Sequence, residues 1–146
     1  MSFLGKLLGK KTAGVREEMK KMENRDLMQA AVGAALLVAY ADGECEDSEV
    51  SKLQEVIASL PALSSFGPEL GQTVDRYNQQ LKTSFILGRT QIMREIADVK
   101  NNQQEAEDVL IVAITIAAAD GEVEPKEQEV LKQIGRQLGL NPDNYV

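Results

Sequence analysis

Two stretches of this chain are apolar on every side of a helix: "LMQAAVGAALLVAYA" (27–41) and "VLIVAITIAAA" (109–119). A helix with no polar face has to be surrounded. Neither stretch reaches the roughly twenty residues that span a bilayer, so both are expected inside a protein core, wrapped by amphipathic helices. The rest of the sequence supplies such helices and no alternating strand pattern. The expected fold is all-α, with one domain for 146 residues.

Along the chain, "SFLGKLLGKK" is a short amphipathic segment, with Phe3, Leu4, Leu7 and Leu8 at helical spacing beside Lys6, Lys10 and Lys11. Residues 1–12 form this basic head, and residues 13–146 the domain. Residues 13–26 read as a second helical piece, ahead of the first buried helix. Val50, Leu53, Val56, Ile57 and Leu60 define an amphipathic helix that Pro61 stops. A loop follows, and then a helix from Pro68 to about Lys82. Residues 84–99 form another, with Ile86, Thr90, Met93 and Ile96 or Ala97 expected inward. Residues 101–119 hold the second buried helix. "KEQEVLKQIGRQLGL" is the last amphipathic one, capped by Gly139. Asn141 and Pro142 then begin a short helical turn.

Each buried stretch ends in the same letters, "ADGECE" at 41–46 and "ADGEVE" at 119–124. The halves align at an offset of 78 residues: Val38 with Ile116, Glu49 with Glu127, Leu53 with Leu131. A duplicated helix–acidic turn–helix unit with a pseudo-twofold core is the expectation, with both turns on one side of the bundle.

The turns admit two readings. Gly43 and Gly121 can terminate a helix in the left-handed conformation, and acidic residues suit the first turn of the next one. Glu127 and Glu49 stand where a capping box would place them. Yet Asp42, Glu44, Glu46 and Glu49 crowd one turn, and Asp120, Glu122, Glu124 and Glu127 crowd the other. Like charges so close are costly unless a cation or basic partner offsets them. This is no EF-hand, because Leu53 and Leu131 occupy the place of its last glutamate.

The two A-D-G-E turns after apolar helices, with the ending "LGLNPDNY", resemble the tellurite-resistance TerB family over about residues 13–146. The resemblance implies a bundle of about seven helices and no enzymatic activity. It also implies a role in tellurite resistance and related bacterial stress responses, with metal held by acidic residues. TerB-like domains are further thought to link membrane-associated and cytoplasmic components of a stress-response complex. The acids paired in the family fall on Asp42 with Glu49 and on Asp120 with Glu127. Glu46 and Glu124 depart from it, standing where serine is common.

Composition narrows the chemistry. Histidine is absent and Cys45 is the single cysteine. Histidine-dependent triads, histidine zinc sites and an internal disulfide are therefore excluded. Oxygen-only ligation makes Ca²⁺ the expected ion, with no organic cofactor. Cys45 lies among carboxylates that disfavour its thiolate. Net charge is −7, divided as +4 over residues 1–25 and −11 over 26–146. The acidic body repels nucleic acid, and Arg76, Lys82, Arg89 and Arg94 have too few aromatic neighbours for a nucleic-acid platform. The basic head suits an anionic membrane surface, against an ordinary packed or frayed helix.

The sequence thus leads to a non-catalytic domain that binds a divalent cation at two acidic turns. It would act as an interaction module in a membrane-associated stress-response complex. No secretory signal is evident, and the cytoplasm, at the inner face of the membrane, is the expected location. The alternative is a metal-free interaction domain whose acidic face docks a basic partner. A metal-assisted hydrolase comes third, lacking any sign of a base or substrate pocket in the sequence.

Overall fold

No proline interrupts the chain between Ala13 and Ala39, and the two helical pieces read from the sequence join into one helix, α1 (Ala13–Ala39). The structure is a computed structural model. It describes the backbone of residues 13–145 and the side chains of residues 25–145, apart from Ala62 and Asp120. The basic head, with Phe3, Leu4, Lys6, Leu7, Leu8, Lys10 and Lys11, lies outside the described residues.

After α1 come α2 (Asp47–Ala58), a single turn α3 (Pro61–Ser64), α4 (Pro68–Thr83), α5 (Phe85–Ala97), α6 (Gln103–Ala117) and α7 (Pro125–Leu138). Two 3₁₀ turns, Ala118–Asp120 and Pro142–Tyr145, complete the described chain. The described residues thus form six helices of a dozen residues or more, a one-turn helix, and no strand. The loop expected at 61–68 is partly helical, because proline at a first helical position forfeits only an N–H that would be unpaired anyway.

The first apolar stretch is buried all round, as expected: Leu27, Met28, Ala30–Val32 and Ala34–Val38 are all core residues. α1 is the axis of the bundle, packing against α6, α5, α4, α2 and α7. The second stretch is different. α6 buries Val109, Leu110, Val112 and Ala113 but leaves Ile111 47% exposed and Thr115 exposed. It packs against α1 from the side, so only α1 meets the demand of an all-apolar helix. Among the described residues, no helix is long and apolar enough to cross a membrane.

The register of α5 also differs from expectation. Its buried face is Gly88, Ile92 and Ile96, whereas Ile86 is 76% exposed and Thr90 is exposed. Glycine sets this register. A Cβ on Gly88 would come within 2.9 Å of the Leu81 backbone nitrogen, so α5 meets α4 backbone to backbone there. A Cβ on Gly33 would lie 2.6 Å from Ile92 Cγ2, so Ile92 fills the space that α1 leaves open. An apolar-periodicity reading gives glycine no weight and therefore misses the face.

The ends are fastened as the sequence implied. Gly139 caps α7 at φ 75°, and the Leu140 N–H donates to Gly135 O at 2.8 Å. Asn141 Oδ1 accepts the Asp143 N–H at 3.1 Å. The Tyr145 hydroxyl donates to Glu107 at 2.8 Å and ties the last turn to α6.

Candidate functional site

The two acidic turns have nearly the same backbone. Gly43 and Gly121 have φ of 95° and 99°, a region open to glycine. Their N–H groups donate to Tyr40 O and Ala118 O, at 2.8 and 3.0 Å, again 78 residues apart. Glu46 and Glu124 are the N-caps of α2 and α7, with φ/ψ of −74°/156° and −71°/157°. Glutamate at these positions leaves the preferred short capping side chains unused.

Side chains distinguish the turns. The Glu127 carboxylate reaches back to accept the Glu124 N–H at 2.9 Å, the expected half of a capping box. Glu49 makes no corresponding bond among the described residues. Asp42 Oδ1 instead accepts the Glu44 N–H at 3.2 Å and tightens the first turn. Asp47 is paired with Lys82 of α4 at 3.2 Å, an exposed contact of small energetic weight.

Both turns open onto one cleft of about 410 Å³. Asp42 and Glu49 line it from the first turn and α2, and Glu122, Glu124 and Glu127 from the second turn and α7. Val38, Leu53, Val56 and Ile116 provide apolar wall. Glu44 and Glu46 are exposed but are not among the lining residues, and the side chain of Asp120 lies outside the described residues. Sequence reasoning missed Ser48, Lys52 and Lys126, which also line the cleft. Their signal was available: each sits within the first two turns of a helix whose start was already marked.

The donor chemistry suits a hard cation, since the cleft offers carboxylate oxygen and no nitrogen or sulfur ligand. The five described carboxylates outnumber the two lysines, so the mouth carries net negative charge. Convergence is incomplete. Among the described residues, no three carboxylates or thiols stand close enough to hold an ion together. Glu127 would have to share or release its capping bond to become a ligand.

Cys45 takes the place that Val123 has in the second turn, and it is buried. Its thiol is pushed up to about 11, first by burial and then by the Glu49 and Asp42 carboxylates, with Lys82 opposing. Burial therefore outweighs the charge effect that the sequence suggested. At pH 8 the thiolate should be about a hundredfold scarcer than in an exposed cysteine. Alkylation of the folded protein should accelerate with pH until about pH 11, and a plateau near pH 9 would contradict the burial. By linkage, the raised value favours folding below the ordinary thiol value, and that contribution is lost as pH rises through about 11.

No curated protein and no solved structure matches the chain. The family described as tellurite resistance protein TerB matches residues 11–146, which includes both acidic turns, the cleft between them and the closing "LGLNPDNY". The chain belongs to the TerB family.

Proposed function

We propose that this chain is a non-enzymatic tellurite-resistance or stress-response protein whose two acidic turns together bind a divalent cation, Ca²⁺ before Mg²⁺. The observation that carries this reading is the single cleft lined by carboxylates from turns 78 residues apart. Asp42 with Glu49 and Asp120 with Glu127 are the ligand pairs, and Glu122 and Glu124 add charge. Glu44 and Glu46 act at longer range through the local field. The matching backbone of the turns supports reading the two helix–turn–helix units as duplicated halves about an approximate twofold. Calcium would offset the repulsion among the carboxylates and stiffen the face they form. That face would then meet other stress-response proteins in the cytoplasm, with the basic head against the inner membrane surface.

Thermal unfolding tests the ion directly. At about 100 times its dissociation constant, a ligand that binds only the folded state adds about 2.7 kcal/mol. For a chain of this size that corresponds to a rise of roughly 5–10 °C in Tm. Calcium should give this rise, and KCl at matched ionic strength should not. Equal shifts from both salts would count against a specific site.

The second reading, a metal-free acidic face that docks a basic partner, draws on the engagement of Glu127 in its capping bond. It predicts no calcium-specific shift, together with partner binding that weakens as salt rises.

A further inference from the structure

An all-apolar helix has to be surrounded, and on one side of α6 that demand is unmet. Ile111 stays 47% exposed. Beside it lies a groove of about 160 Å³, with Leu27 and Ala31 of α1 on one wall, Leu63 of α3 at its end, and Asp108 and Ile111 of α6 on the other wall. Ligand clefts commonly enclose roughly 300–1,000 Å³, so this groove has the size for a side chain rather than for a small molecule. The Thr115 hydroxyl in its wall already donates to Ile111 O at 2.7 Å. Asp108 is the remaining polar side chain among the described lining residues. No lysine or arginine among the described residues is paired with it. Burial, and then the Glu107 carboxylate, raise its carboxyl above the ordinary value. A cation at the rim would reverse that effect. The groove thus calls for an apolar side chain with a positive charge close by.

The chain carries such a segment on the helix that forms the first wall. The basic head, residues 1–12, joins α1 and holds Phe3 and Leu7 on either side of Lys6. Its length matches the task. Ala31 is eighteen residues beyond Ala13, or about 27 Å along the helix. Phe3 is ten residues before Ala13, and an extended chain of that length reaches about 33 Å. A helical head would cover only about 15 Å, so the head reaches the groove extended. Extension puts residues 3, 5 and 7 on one face, and here these are Phe3, Gly5 and Leu7, with no charge among them. The tether helps as well, because a short link presents the head at an effective concentration of about millimolar and makes weak contacts sufficient.

We propose that the α1–α6 groove holds the chain's own basic head in extended form, with Phe3 against Ile111 and Lys6 beside Asp108, and so withholds the head from an anionic membrane surface. The withholding rests on the membrane contact proposed above for the head; the docking does not, and neither requires an ion.

The test uses the full chain throughout. Backbone order parameters of residues 3–7 should exceed about 0.6 in the wild type and fall below it in Ile111→Ser. Phe3→Ser/Leu7→Ser, outside the core, should move the methyl signals of Ile111 and leave those of fully buried Ile134 in place. Phosphatidylglycerol vesicles should bind Ile111→Ser about tenfold more tightly than wild type, as expected when a head docked about nine-tenths of the time is set free. A wild-type head with order parameters below about 0.6, or Ile111 signals that do not move, would overturn the docking. Ile111 signals that change on dilution of the wild type would also overturn it, because the occupant would then be a second copy. Equal vesicle binding by wild type and Ile111→Ser would overturn the withholding, and binding by neither would remove the membrane contact itself.

Discussion

Ile92→Ala should destabilise the protein by about 3–5 kcal/mol, near the top of the range for such truncations. Ile92 is fully buried and presses into the gap at Gly33, where a Cβ would stand 2.6 Å from Ile92 Cγ2. Glycine has no side chain that could relax into the resulting cavity, so the cavity should persist. Gly33→Ala in the native background should also destabilise, by about 1–2 kcal/mol, since overpacking outweighs the better helix propensity of alanine. Combined, the two changes should partly cancel. In the Ile92→Ala background, Gly33→Ala should become stabilising, because the new methyl then enters empty space. Urea unfolding of the four proteins measures this directly. Simple additivity would mean that α1 and α5 do not meet at this point. Ile86→Ala, on the exposed side of α5, should by contrast change stability by less than about 0.5 kcal/mol.

Much of the architecture was legible from pattern alone. The apolar run 27–38 has no polar face, and the fold surrounds it. Gly139, Asn141 and Pro142 mark the chain end through cap chemistry that acts within a few residues, and local signals of that kind read well. What pattern could not supply came from contacts between distant segments. "VLIVAITIAAA" is as apolar as the first run, yet α6 lies at the flank of α1 and leaves Ile111 exposed. The face of α5 was misjudged by counting Ile86 and passing over Gly88, since the importance of Gly88 lies in the approach of Leu81 from another helix. The boundary at residue 26 was drawn from a change in polarity, which is no reason for a helix to stop.

The candidate site was legible to a similar degree. The offset of 78 residues identified two turns with matching dihedrals, and of the seven named carboxylates whose side chains are described, five line a common cleft. Spacing could not tell which carboxylates already serve the backbone. Glu127 caps α7, and Asp42 closes its own turn, and these bonds depend on side-chain reach in the folded chain. Lys52 and Lys126 were not singled out from the sequence, and it is folding that brings their helices to the same opening.

The largest functional effect should come from removing the two turn aspartates together. Each lies directly before the glycine of its turn, Asp42 beside Gly43 and Asp120 beside Gly121. Asparagine keeps the shape and turn-forming capacity of aspartate while removing the charge. Asp42→Asn/Asp120→Asn should therefore fold normally and lose calcium affinity by about a hundredfold or more, corresponding to about 2.7 kcal/mol. Calorimetric titration of Ca²⁺ into the wild-type protein and into this double variant is the most direct measurement. A saturable heat in the wild type that disappears in the variant is the predicted result. No heat at millimolar Ca²⁺ in the wild type, or the same heat in both proteins, would contradict the claim that the acidic turns form a cation site.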